Sequence, residues 1–276
     1  VAVPHAGLLI LDGTAPHIVD PEIPGARDSI INLGECLDEP AMRPRLPHIR
    51  ACMADHAACS RRARACMAAA AALARDNAAT LHAATDEARR CAMTQALVQA
   101  VLAREAPKEV APGVRPVITD AITPKGEISL ISENAQPRVI RLMFHWGMDG
   151  TAVLRRLSVA VQAAGYSVEE HLCPIVPGRL LHLTIPALAT LVTTGEQLAA
   201  EQSFDFAACI PQGALLRHEC ALEQGRAGIR LHLHRASAAL AQAKQLHDEL
   251  ESFYVPNMDF EKWQTMLDQT LESLKN

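Results

Sequence analysis

RVIRLMF, residues 138–144, is a nearly unbroken apolar run of strand length. Behind it Val153, Leu154, Leu157, Val161 and Ala164 return at intervals of three and four. The first pattern is that of a strand buried on both faces and the second that of an amphipathic helix, so the chain passes here from strand through turn to helix. Gly165 is placed to stop the helix. YSVEEHL alternates Tyr166, Val168, Glu170 and Leu172, which suits a strand near a sheet edge. LHLTIPALATLVTTG, residues 181–195, predicts a further strand. A second alanine-rich helix is expected over about 231–251, and YVPNMDF, residues 254–260, separates it from a final amphipathic helix through Leu274. Strands alternating with helices predict an α/β fold, a mainly parallel sheet with helices on both faces.

The N-terminal half reads differently. Gly7 to Leu11 forms an apolar strand ending in Asp12, followed by a loop rich in Pro, Gly and Asp to about Leu37. From Pro47 to Arg104 the chain is alanine-rich and helical, which predicts two or three long helices with a break near Asp76–Asn77. Residues 106–116, APKEVAPGVRP, hold three prolines and a glycine and read as a linker.

Composition narrows the function classes. The hydrophobic share is 49% but aromatics are only 3%, favouring helices packed through small side chains. A formal charge of −5 leaves no basic footprint for nucleic acid. No apolar run has the length of a membrane-spanning helix, and the N-terminus lacks signal-peptide character. Eight cysteines without compact disulfide spacing read as reduced thiols of a cytoplasmic protein.

Val3-Pro4-His5-Ala6-Gly7-Leu8-Leu9-Ile10-Leu11-Asp12-Gly13 aligns with residues 185–195, sharing the proline, a strand and a terminal glycine. Arg64-Ala65-Cys66-Met67-Ala68 aligns with residues 235–239, and Thr85-Asp86-Glu87 with Met258-Asp259-Phe260. Three matches in one order predict a tandem repeat, with residues 1–105 from a first copy, 106–116 a linker and 117–276 a second copy. Val1 falls opposite about Leu183, so a counterpart of residues 115–182 is expected to have preceded Val1.

Three constellations could carry chemistry. FHWGMDGTAVLRRL, residues 144–157, has the setting of a phosphate-binding loop, whose backbone amides cradle phosphate while a lysine neutralises charge and a Ser/Thr hydroxyl holds magnesium. Gly147 and Gly150 supply glycines and Thr151 the hydroxyl. Gly150, however, occupies the lysine position, and Asp149 puts a carboxylate at the helix N-terminus, where phosphate would sit. LLILDGTAPH has the form of a Walker-B strand ending in a magnesium- or water-orienting acid, Asp12; the second copy has Thr194 there. Cys52, His56 and Cys59, with Cys66 a heptad further on, share one helix face. They could offer soft ligands to zinc or copper(I), or be small core residues of a helical hairpin.

LDGTAPHIVDPEIPGARDSIINLGE, residues 11–35, resembles the first half of a family of tandem P-loop ATPase-like proteins from Gram-positive bacteria. DAITPKG (120–126), the Ile-Pro of LTIPAL and LHDELESFYVPNMDFE (246–261) resemble the second half. The resemblance implies two P-loop domains in one chain and ATP with Mg²⁺ as cofactors. It implies Asp12 as the Walker-B-like acid, with Thr14, His17 and Asp20 lining the same loop, and Gly150 and Thr151 where the second loop's lysine and serine belong. The function expected is therefore that of a nucleotide-binding, ATPase-family protein with a degenerate second site. Any NTP hydrolysis would then reside in the first copy. The alternative is a non-catalytic interaction scaffold for a protein partner.

Overall fold

The computed structural model describes residues 1–3, 6–13, 18–134 and 136–274. The chain packs as two compact units, residues 50–249 and residues 1–49 with 250–276.

In the larger unit, β6 (Arg138–Met143) leads through a turn into α4 (Thr151–Ala163). β7 (Val168–Leu172), β8 (Leu180–Ile185) and β9 (Thr190–Thr193) then run as an antiparallel meander. With β3 (Val114–Val117) and β10 (Gln202–Asp205) they form a six-stranded sheet in the order β10-β6-β9-β8-β7-β3. Only β8 runs against the rest, so the expected mainly parallel α/β sheet is present. The single strand expected over 181–195 is two. Pro186 opens a short 3-10 turn and Ala189 takes a left-handed φ of 46°, which reverses the chain between β8 and β9.

Part of the expected linker is also structured. β3 contains Pro116, tolerated because β3 is an edge strand. Ahead of it the Tyr166 hydroxyl bonds both the amide and the carbonyl of Ala106. A hairpin, β4 (Asp120–Thr123) and β5 (Gly126–Ser129), follows β3. The core joins Ile140 and Leu142 of β6, Leu154, Leu157 and Val161 of α4 and the meander strands. It also takes Leu97, Val98 and Val101 of α3 (Glu87–Leu102), so α3 belongs to the packing of this unit.

The larger unit also contains most of two long helices. α2 (Leu46–Ala83) has 38 residues and α5 (Gln212–Tyr254) has 43. Within the larger unit they run antiparallel: the Cys52 thiol donates to the Leu246 carbonyl at 3.2 Å, and Asn77 Nδ2 faces the Leu222 carbonyl at 3.5 Å. Cys52, Cys59, Ala63, Ala70 and Asn77 are buried on α2, and Leu222, Gly225, Leu233, Ala236, Ala239 and Ala243 on α5. This is a coiled-coil seam of small residues. The break expected near Asp76–Asn77 is absent, because Asn77 is a buried seam residue; α2 ends instead before Asp86, whose carboxylate accepts the Arg89 amide and caps α3. α5 begins well before residue 231. Gly225 and Gly228, which weigh against helix in a sequence, are needed where α2 comes close: a Cβ on Gly225 would lie 2.3 Å from Asn77 Oδ1, and one on Gly228 2.7 Å from Leu73 Cδ1.

The smaller unit holds a short hairpin of β1 (Ala2–Val3) and β2 (Leu8–Leu9), the short helix α1 (Glu39–Met42) and α6 (Phe260–Ser273). The buried strand expected over residues 7–11 is a short ladder outside the main sheet, with Leu9, Ile10 and Leu11 exposed. Residues 36–38 and the YVPNMDF segment meet here: Leu37 bridges Met258, and Asp38 N–H donates to the Asn257 carbonyl.

Two local arrangements recur. Val1, Ala2 and Val3 lie opposite Ile10, Leu9 and Leu8, as Leu183, Thr184 and Ile185 lie opposite Val192, Leu191 and Thr190. In each unit a 3-10 turn ends in a cysteine whose carbonyl accepts the N–H of an aspartate capping a helix. Cys36 accepts from Asp259 at 2.8 Å and Cys209 from Asp86 at 2.7 Å. No helix among the described residues is long and apolar enough to cross a membrane.

Candidate functional site

The turn between β6 and α4 sits where an α/β sheet offers its strand ends and a helix N-terminus, the usual place for a ligand in such folds. Phe144 turns inward and stacks on buried Phe206, with ring centroids 5.1 Å apart. The Met148 amide donates to the His145 carbonyl at 3.0 Å, closing a turn around Trp146 and Gly147. Gly147 takes φ +92°, a conformation glycine adopts without strain, and a Cβ there would touch Leu81 and Asn77 of α2. The Arg226 guanidinium lies over the Trp146 ring, 5.2 Å from its centroid.

The expected glycine pair and Thr151 are thus brought together at one turn, but the turn is filled by its own side chains. Asp149 Oδ1 accepts the Thr151 N–H at 2.8 Å, taking one of the unpaired donors that open α4. Asp149 Oδ2 lies 3.1 Å from Arg179 Nε, and Arg179 also donates to the Met148 carbonyl. Burial raises the pKa of the Asp149 carboxyl, but the Thr151 hydrogen bonds and the Arg179 charge outweigh it, so the group titrates below the usual carboxylate range. Thr151 Oγ1 accepts the Leu180 N–H at 3.0 Å. A Cβ on Gly150 would lie 2.7 and 2.8 Å from the Phe144 ring. Counted back from Gly150, Phe144 stands at the first glycine of the phosphate-loop pattern, so the ring and the missing side chain compensate each other. Beside the turn is a cavity of about 420 Å³, whose polar lining includes His82, Thr85, Arg90 and Asp149. Arg90 is already paired with Glu87 at 2.5 Å, leaving little free positive charge for an anion.

The other expected site residues lie elsewhere. Asp12 and Asp20 are exposed residues of the smaller unit, and Thr14 and His17 lie outside the described residues. Cys52 and Cys59 lie in the α2–α5 seam. Burial, then the charges of Glu249 and Asp55, raise the Cys52 thiol's pKa, which disfavours the thiolate a metal needs. Among the described residues no three His, Cys, Asp or Glu side chains converge to hold a metal. All eight cysteines are free thiols.

A second polar cluster was not expected from the sequence. His171 is fully buried on β7, with Nδ1 3.2 Å from Thr119 Oγ1 and Nε2 2.8 Å from Thr184 Oγ1. His182 on β8 lies between Thr193 Oγ1 at 2.7 Å and Asp120 Oδ2 at 3.6 Å. The order acid, imidazole, hydroxyl resembles that of a hydrolase, but Thr193 is buried and its oxygen also accepts the Gly195 N–H. The cluster ties residues 119–120 to the sheet. Its sequence signal is histidine at inward positions of LHLTI and EEHL. No family model, curated protein or solved structure matches the chain.

Proposed function

We propose that the chain is a P-loop-type protein whose turn at residues 144–151 is a degenerate nucleotide site, and that this half acts as a non-catalytic interaction module. The observation that carries the reading is the Asp149 carboxylate on the Thr151 amide, clamped by Arg179. A fixed anion at a helix N-terminus gains from the helix dipole and repels a second anion, so Asp149 stands where a phosphate would. The Phe144 ring against Gly150 supports it further, because no lysine fits without moving that ring. ATP with Mg²⁺ does not fit these residues, and no phosphoryl-transfer step can be assigned to this turn. NTP hydrolysis, where it occurs, is assigned to the first copy with Asp12 as the magnesium- or water-orienting acid; residues 1–105 carry no lysine-bearing phosphate loop, so nucleotide binding by residues 1–276 could come only from the turn at 144–151. The recurring hairpin register and the paired cysteine–aspartate contacts support descent of the two halves from one unit.

Thermal unfolding of the whole chain with and without Mg²⁺-ATP tests this. Ligand at 100 times its Kd stabilises by about 2.7 kcal/mol, so a working site would shift the midpoint by several degrees. The degenerate site gives no shift at millimolar nucleotide; a saturable, ATP-dependent rise would overturn the reading.

A further inference from the structure

The two recurring arrangements differ in what covers them. β9 is fully buried, and its edge away from β8 pairs in parallel with β6. Its counterpart, residues 8–11 of the smaller unit, has the more apolar sequence Leu-Leu-Ile-Leu. Yet Leu9, Ile10 and Leu11 are 64%, 41% and 47% exposed. Ile10 N–H and C=O are used toward Val1, so alternation within the ladder turns the Leu9 amide to the opposite edge. The helices repeat the contrast. α3, capped by Asp86, packs Val98 and Val101 against the core beside α4, at 9% and 0% exposure. With the capping aspartates Asp86 and Asp259 superposed, those positions fall on Leu271 of α6 and on Leu274 just past its end, which are 48% and 43% exposed.

These two uncovered faces of the smaller unit therefore have counterparts in the larger unit, and both counterparts are covered by the same element, the strand–turn–helix β6–α4. We infer that the smaller unit is a docking surface for a strand–turn–helix segment of a partner polypeptide. The partner's apolar strand pairs in parallel with residues 8–11 and its amphipathic helix packs on Leu271 and Leu274. The parallel direction sets this apart from a two-fold pairing of two β2 edges, which would be antiparallel. It is β-strand addition with a helix as second anchor, and side-chain burial on both faces supplies what a lone exposed edge lacks. The inference rests on the proposed correspondence of the two halves, read from register and burial, and not on the state of the nucleotide turn.

A synthetic peptide of residues 136–165 of this chain, which carries β6, the turn and α4, serves as probe, with a peptide of reversed sequence as control. Hydrogen exchange of the full chain is followed with each. The docking surface predicts that exchange at Leu9 and the second half of α6 slows about tenfold or more with the forward peptide alone. Leu271→Glu, at a position 48% exposed, should abolish the helix part and weaken the peptide while the chain's own unfolding midpoint stays close to wild type. No slowing at saturating peptide, equal slowing with the reversed peptide, or no effect of Leu271→Glu would overturn the assignment. Concentration-dependent dimerisation that protects residues 8–11 without peptide would overturn it too, because a second copy would then be the occupant.

Discussion

Gly150 offers a substitution whose sign depends on the account of the turn. Its φ of −81° and ψ of −1° suit any L-residue, so glycine is not there for backbone reasons. At such a position Gly→Ala ordinarily stabilises by about 0.4–1 kcal/mol, through the unfolded chain. Here an added Cβ would lie 2.7 Å from the Phe144 ring, about 0.7 Å inside the 3.4 Å at which ordinary contact begins. The ring cannot retreat freely, because Phe206 stacks behind it and is fully buried. Gly150→Ala is therefore expected to destabilise by about 1–3 kcal/mol, the usual cost of overpacking. Phe144→Leu should remove most of that penalty, giving a coupling of similar size in a double-mutant cycle. The assay is urea unfolding followed by Trp146 fluorescence in a Trp263→Phe background, which leaves one tryptophan, close to the turn. A neutral or stabilising Gly150→Ala, or an additive cycle, would refute the reasoning and reopen the lysine position.

Three further outcomes follow from the same geometry. Asp149→Ala should cost about 1–3 kcal/mol, from a lost cap and an Arg179 left without its carboxylate; because the folded pKa of Asp149 is depressed, its contribution is present above the unfolded value and fades as pH falls through the folded one, so melts of wild type and variant should converge in acid. Burial, then the nearby His182, lowers His171 to about 4; a histidine depressed on folding costs stability as pH falls from about 6.5 toward that value, up to roughly 3 kcal/mol, and His171→Gln should flatten this part of the stability–pH curve. Gly225→Ala should destabilise through the 2.3 Å approach to Asn77 Oδ1, and Asn77→Ala should rescue it, both read from chemical denaturation midpoints.

How legible these features were depended on whether their cause was local. β6 and α4 could be read directly, since RVIRLM has a buried strand's composition and Val153, Leu154, Leu157 and Val161 a helix's spacing. Asp149 was legible too, as an acid at a helix N-terminus, but its clamp Arg179 was not, because the two meet only after α4 and β7 have folded back. A break is expected near Asn77, and the helix expected from about residue 231 leaves out Gly225 and Gly228. Their role emerges only when α2 and α5 lie side by side, where tertiary contact overrides propensity. The β8–β9 reversal turns on a left-handed alanine, a conformation no residue-type signal announces. The His171–His182 cluster depends on which strand residues face the same side after the meander forms, a matter of register. Residues 7–11 failed in the opposite way. Their pattern is that of a buried strand, yet Leu9, Ile10 and Leu11 are exposed, which makes that pattern informative about a partner.

The central claim is that Asp149, Phe144 and Gly150 together close the phosphate-loop turn. Calorimetric titration of Mg²⁺-ATP tests it most directly, with the full chain and a Phe144→Gly, Asp149→Gly, Gly150→Lys variant side by side. The account predicts no binding heat for the wild-type chain and measurable heat for a variant that remains folded. Saturable binding by the wild-type chain, lost when Thr151 is replaced by Val, would contradict it.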